Sequence, residues 1–128
     1  METIEVIESY ITAINDHEVD RMLNLMHPEH TLVDSSGNTV HGSSDMRSAW
    51  TNYFDMISDY EITVDEMIPD HRKAAVFGAA SGYYHDKFWQ TYAAWRVHIR
   101  DGKILLWQVY ADNEQLRILL QHNDNTKT

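Results

Sequence analysis

The feature that most constrains this chain is a change of period at Tyr60. Before it, apolar residues recur every three or four positions; after it, they alternate. Ile4, Ile7, Tyr10, Ile11 and Ile14 mark one face of a helix over residues 3–15, with Glu2, Glu5 and Glu8 on the wet side. Val19, Met22, Leu23 and Met26 begin a second, shorter helix that must stop before Pro28. "GSSDMRSAWTNYFDMI" predicts a third, capped by Ser43 or Ser44, with Met46, Trp50, Tyr53, Phe54 and Ile57 as its apolar stripe. Between the second and third helices, "HTLVDSSGNTVHG" reads as an extended piece over residues 30–34 and a turn over 35–38.

Downstream, "YEITVDEMI", "KAAVFGAASGYY", "FWQTYAAWRVHI" and "ILLWQVYA" predict four strands. "RDGK" joins the last two as an Asp-Gly hairpin. Gly78 and Gly82 permit a bulge or sharp curvature. "DNEQLRILLQ" closes the chain as a short helix, and residues 123–128 are a polar tail after a single domain over residues 1–122. Helices followed by antiparallel strands make an α+β layer domain: a curved antiparallel sheet wrapped around N-terminal helices. A curved sheet has a concave side that the helices do not fill, so a cavity is expected there. The opposite face carries Phe88, Gln90, Tyr92, Arg96, His98, Gln108 and Tyr110 and has no helix left to cover it. A second copy of the chain, in a two-fold homodimer, is the expected cover.

Twenty acidic residues against ten basic ones give a net charge of −10. Without a basic stripe, nucleic acid and anionic membranes are poor partners. The chain has no cysteine, which excludes disulfides and thiolate metal sites. No leader pattern and no membrane-length apolar run occur, so a cytoplasmic protein is expected. Eight histidines are scattered without metal-ligand spacing, and "HPEH" is broken by proline. Surface histidines and no metal are expected.

Three residues could carry proton chemistry. Asp34 follows Leu32 and Val33 and precedes Ser35-Ser36-Gly37. It is either a general base beside an apolar cavity or an Asx residue holding its own turn. Asp112 is either a second acid/base group or the N-cap of the last helix, with Gln115 at the capping-box position. Tyr10 is either a hydrogen-bond donor to a ligand carbonyl or a core tyrosine, and Tyr53 is similar. Trp50, Trp95 and Trp107 either fill the core or form flat walls for a planar or ring-shaped ligand.

"YITAINDHEVDRMLNLMHPEHTLVDSSGNTVHG" and "WRVHIRDGKILLWQVYAD" resemble the nuclear transport factor 2-like superfamily. More narrowly, they are similar to the SnoaL-like polyketide cyclases and the ketosteroid isomerases, over about residues 3–121. The resemblance implies a cystatin-like cone. It sets Asp34 on the isomerases' proton-shuttling aspartate and Tyr10 on one of their pocket tyrosines. Trp50 stands at a third-helix tyrosine of that family, and Trp95 or Ala94 at its late-strand aspartic acid. Asp112 matches the late aspartate of the cyclases, while Leu106 stands where many of them carry His. The resemblance implies a cofactor-free isomerase, cyclase or hydrolase-type enzyme. Its substrate would be a small, mostly apolar, carbonyl-bearing molecule, with Asp34, Tyr10 and Asp112 catalytic and Trp50, Tyr53, Trp95 and Trp107 binding. The other reading from the same resemblance is a non-catalytic ligand-binding or assembly domain.

Overall fold

A computed structural model describes residues 2–112 and 114–126. In chain order the elements are α1 (Thr3–Asn15), α2 (Val19–Asn24), β1 (Met26–Val33), β2 (Thr39–His41) and α3 (Ser43–Met56). They continue as β3 (Ser58–Asp70), β4 (Lys73–Tyr84), β5 (Lys87–Arg100), β6 (Lys103–Ala111) and α4 (Glu114–Thr126). All six strands join one sheet in the order β2-β1-β6-β5-β4-β3. Every neighbouring pair is antiparallel except β1 and β6, which run parallel with Leu32 opposite Trp107.

The period-2 pattern sorts side chains between the two faces. On β5, Trp89, Ala93, Trp95, Val97 and Ile99 are buried against the helices, while Phe88, Gln90, Tyr92 and Arg96 are exposed on the other side. The stripe of α1 supplies Val6, Ile7, Tyr10, Ile11 and Ile14 to the same core. Asn15 fixes α1 to β3 through one residue: its Nδ2 donates to the Ile62 carbonyl at 2.9 Å, and its Oδ1 accepts the Ile62 N–H at 2.8 Å.

The curvature follows from two glycines on β4. The register of β3 against β4 shifts between Ser58 and Glu61, opposite Gly82, and again between Val64 and Glu66, opposite Gly78. A Cβ on Gly78 would overlap the carbonyl oxygen of Thr63, so the bulge closes onto a position that only glycine can hold. The β5–β6 hairpin turns through Asp101 and Gly102, both at positive φ, as an Asp-Gly turn requires. A second hairpin, between β4 and β5, turns at His85 and Asp86, at φ 48° and 65°.

Four local expectations need correction. Met26 opens β1 rather than closing α2: it pairs with Ile104, and helical spacing alone could not separate the two. Pro28 then lies inside β1, where the β1–β6 register shifts between Met26 and Thr31 and no ladder donor is required. The N-cap of α3 is Gly42, not Ser43 or Ser44. Its φ of 94° turns the chain out of β2, and its carbonyl accepts the Met46 N–H at 3.0 Å. The histidines are not all on the surface, since His30 is fully buried. It points inward from β1, and its Nδ1–H donates to the Ile104 carbonyl on β6 at 2.8 Å.

Candidate active site

The concave face of the sheet and the helices enclose a cavity of about 610 Å³. Its deep walls are aromatic. Trp50 and Tyr53 come from α3, Tyr60 from β3, Trp89 and Trp95 from β5, and Trp107 from β6. All four tryptophans of the chain are therefore cavity residues. Leu32, Val40, Ala80 and Val109 fill the gaps between the rings. The exposed lining residues mark the open end: Ser36 and the half-buried Asp34 and Ser35 from the β1–β2 turn, and Asp112 and Arg117 around the start of α4. Leu116 and Leu120 of α4 complete that rim.

Asp34 is held by its own turn. Its Oδ1 accepts the backbone N–H groups of Ser36 and Asn38, both at 2.9 Å, while its backbone N–H donates to the Asn38 carbonyl at 2.9 Å. That is the Asx arrangement, and it also fixes the carboxylate at the cavity mouth. The two roles weighed for Asp34 are thus compatible in space. Asp112 is similar: its Oδ1 accepts the Glu114 N–H at 3.0 Å, at the start of α4. Its carbonyl accepts the Thr91 hydroxyl at 2.7 Å, and Arg117 Nη2 stands 3.7 Å from its carboxylate. Gln115 forms no capping box with it; the Gln115 Oε1 accepts the backbone N–H of Gln90 on β5 at 3.2 Å.

The structure brings Asp34, Asp112, Trp50, Tyr53, Trp95 and Trp107 to one cavity. It does not bring Tyr10 there. Tyr10 has no exposed surface and stands behind the lining, edge-on to Trp107 with ring centroids 4.9 Å apart. Burial pushes its phenol well above the usual range, and the neighbouring Trp50 indole acts in the opposite direction. Their approach falls short of a hydrogen bond. Tyr10 Oη and Trp50 Nε1 are both left without a partner, as are His30 Nε2 and Trp89 Nε1. Burial also raises Tyr53 and Tyr60, so all three phenols are protonated across the ordinary pH range. Burial lowers His30; the Ile104 hydrogen bond opposes that shift and the nearby His41 adds to it. His30 is therefore neutral, with its proton on Nδ1 and Nε2 left as an acceptor.

Sequence reasoning missed Trp89, Tyr60, Thr91 and Arg117 as lining residues. Trp89 and Thr91 share the parity of Trp95 on β5, a signal that was present. Arg117 gives no such signal, because its place depends on how α4 returns over the sheet. Among the described residues no group of three or more metal-ligating side chains is close enough to hold an ion, and no helix is long and apolar enough to cross a membrane.

Comparison with known proteins agrees with this geometry. None of the curated proteins matches the chain. Among solved structures, TerC co-crystallised with polyporic acid is similar with a TM-score of 0.83 at 18% identity, over 93% of this chain and 98% of that one. A SnoaL-like protein structure from Shewanella denitrificans gives a TM-score of 0.83 at 8% identity, over 94% and 97%. A ketosteroid isomerase-like protein from Catenulispora acidiphila in complex with trimethylamine gives 0.77 at 16% identity, over 83% and 84%. These likenesses show the nuclear transport factor 2-like fold. The SnoaL-like domain family itself matches residues 7–107, most of the chain, and with the cone and its indole-walled cavity in view the chain belongs to that family.

Proposed function

We propose that the cavity binds a small, mostly apolar, carbonyl-bearing molecule, and that Asp34 moves a proton on the carbon next to that carbonyl without a cofactor. One observation carries the reading: a hollow of about 610 Å³ with apolar aromatic walls has its carboxylates, Asp34 and Asp112, confined to its mouth. A cavity of that size suits a ring-bearing ligand. Flat indole walls orient the ring, and a carboxylate fixed by two backbone N–H groups is preorganised against it. Asp112, beyond the end of the neighbouring strand β6, assists from the same mouth and is tied to β5 through Thr91. Tyr10 supports the walls from behind, with no surface on the cavity. Isomerisation, cyclisation and water addition all use this set of groups.

A second reading, a non-catalytic small-ligand-binding domain, is favoured by one feature: the Asp34 Oδ1 already serves two backbone donors. Proton exchange separates the two. Ring ketones incubated with the protein in D2O are expected to exchange the hydrogen next to the carbonyl, measured by NMR, and Asp34→Asn is expected to abolish it. Ligand binding without exchange would leave the binding-domain reading in place.

The outer sheet face fits a second copy of the chain. Phe77, Tyr92 and Tyr110 lie exposed on it, Tyr92 at 86%. Arg96 stacks over the Tyr110 ring at 5.9 Å. Arg96 and Lys73 flank His98, whose pKa is lowered by burial first and by these two cations next. A two-fold interface there would cover an aromatic surface that is costly to leave in water.

A further inference from the structure

We infer that the outer face of the sheet carries a separate ligand site, which takes the carboxylate of a small apolar acid; it goes beyond the cavity reading and does not rest on it. The strand register fixes the site. Lys73 on β4 stands opposite His98 on β5, and Ala75 opposite Arg96, so the three basic side chains share one face as direct and diagonal neighbours. Ile68 of β3 is opposite Ala75, and Tyr110 of β6 is opposite Ala94. The short alanine side chains leave a hollow of about 660 Å³ between these larger ones. Its groups are open to a ligand: Lys73 and Arg96 are exposed, His98 is half-buried, and Tyr110 and Ile68 are 47% and 51% exposed.

The chain has 10 Lys and Arg against 20 acids, so most of its cations have a carboxylate within reach. Arg21, Arg47, Arg100 and Arg117 each stand against one, whereas among the described residues no carboxylate pairs with Lys73 or Arg96. Arg96 lies over the Tyr110 ring at 5.9 Å. The Asp70 carboxylate is opposite Lys73 in register but stands 3.8 Å from His71 Nε2 instead. Neighbouring like charges on a sheet cost stability, and nothing within the chain offsets this pair. His98 feels them: burial first, then Lys73 and Arg96, hold its pKa below the ordinary value. Its ring is therefore neutral above pH 7 and still offers an N–H. With Asp70, Lys73 and Arg96 counted, the hollow carries one net positive charge, which suits a monoanion; a phosphate dianion would meet the Asp70 carboxylate. The guanidinium fork matches a carboxylate, and Lys73 supplies a second charged donor. The apolar body of the acid then rests on Ala75 and Ala94, between Ile68 and Tyr110.

The probes are 1-naphthoate and its uncharged counterpart 1-naphthalenemethanol, titrated at pH 7.5 into protein with 13C-labelled histidines and followed by NMR. The His98 ring signals, assigned with His98→Gln, should shift with naphthoate, which should bind about tenfold tighter than the alcohol, the effect of one charge-assisted hydrogen bond. Arg96→Gln and Lys73→Gln lie on the surface and should each weaken naphthoate about tenfold while leaving the alcohol unchanged. Equal affinity for acid and alcohol, no binding of naphthoate, or binding that leaves His98 unmoved each overturns the site. Phe77 and Tyr92 lie on the same face, so sedimentation is run with and without naphthoate. A dimer that refuses naphthoate, with His98 signals that move on dilution instead, would show that a second copy covers these cations, and this too overturns the small-acid site. None of these failures touches the cavity reading, which ketone exchange at Asp34 tests separately.

Discussion

The Nδ1–H of His30 on β1 donates to the carbonyl of Ile104 on β6 across 2.8 Å, joining the start of the sheet to its last strand inside the core. His30 has no exposed surface, and its burial favours the neutral ring. In the unfolded chain the same ring has its ordinary value of 6.5. The unfolded state therefore binds the proton more readily, and stability rises with pH through this window. The contribution is complete above about 6.5 and is lost as pH falls below it, at up to ~1.4 kcal/mol per pH unit for one proton. His30→Asn retains an N–H donor without a titrating group. Urea midpoints measured from pH 7.5 to 5 should fall less steeply for this variant than for the parent; parallel slopes would show that His30 does not set the acid limit.

Asp34 combines two duties that different substitutions can divide. Asp34→Asn keeps the Oδ1 acceptor for Ser36 and Asn38, so thermal stability should change little. Asp34→Ala removes it and should cost about 1–2 kcal/mol, a magnitude typical of lost side-chain caps. Both should abolish ketone exchange. Retained exchange in the Asn variant would remove Asp34 from the chemistry while leaving its turn role intact.

Gly78 and Gly82 should differ in cost although both sit opposite a β3 bulge. A methyl at 78 meets the backbone of Thr63, which cannot yield without moving β3. A methyl at 82 first meets a side-chain methyl, Ile57 Cγ2, at 2.5 Å, and the nearest backbone atom, the Ser58 carbonyl oxygen, only at 3.3 Å. Gly78→Ala should therefore lose about 1–3 kcal/mol, the cost of overpacking, and Gly82→Ala less, by chemical denaturation. Reversal of that order would contradict the bulge geometry.

The outer face predicts association. The parent protein should sediment as a dimer, and Phe77→Asp combined with Tyr92→Asp should give a folded monomer with an unchanged far-ultraviolet circular dichroism spectrum. A parent that is monomeric at high micromolar concentration would show that the aromatic face has another purpose.

The architecture was legible because both periods were clean. The stripe of α1 and the alternation of β5 each place their residues where burial requires them. The Asp-Gly turn and the two bulge-forming glycines follow from backbone freedom, which a sequence displays directly. Asp34 and Asp112 line the cavity from strand ends, Trp95 and Trp107 from inward strand parities and Trp50 from the apolar stripe of α3, positions that the periodicity displays. Tyr10 does not: a helical stripe says which face is buried, but not whether a residue lies in front of or behind a neighbouring indole. The Pro28 segment misled for a similar reason, since the register shift that tolerates it belongs to β6 as much as to β1. His30 was read as a surface residue because nothing local announces a partner in a distant strand.

The parallel seam between β1 and β6 has a consequence for how the chain is made. Leu32 meets Trp107 only after nearly all the intervening polypeptide has been synthesised, so the β1–β2 hairpin waits with one edge unpaired while the chain grows. Closure of this large loop is entropically demanding and belongs to the late stage of folding. A nascent chain halted before Lys103 would expose that edge together with three indoles whose fourth wall has yet to arrive, which makes the final strand the step at which a sticky intermediate gains its last wall.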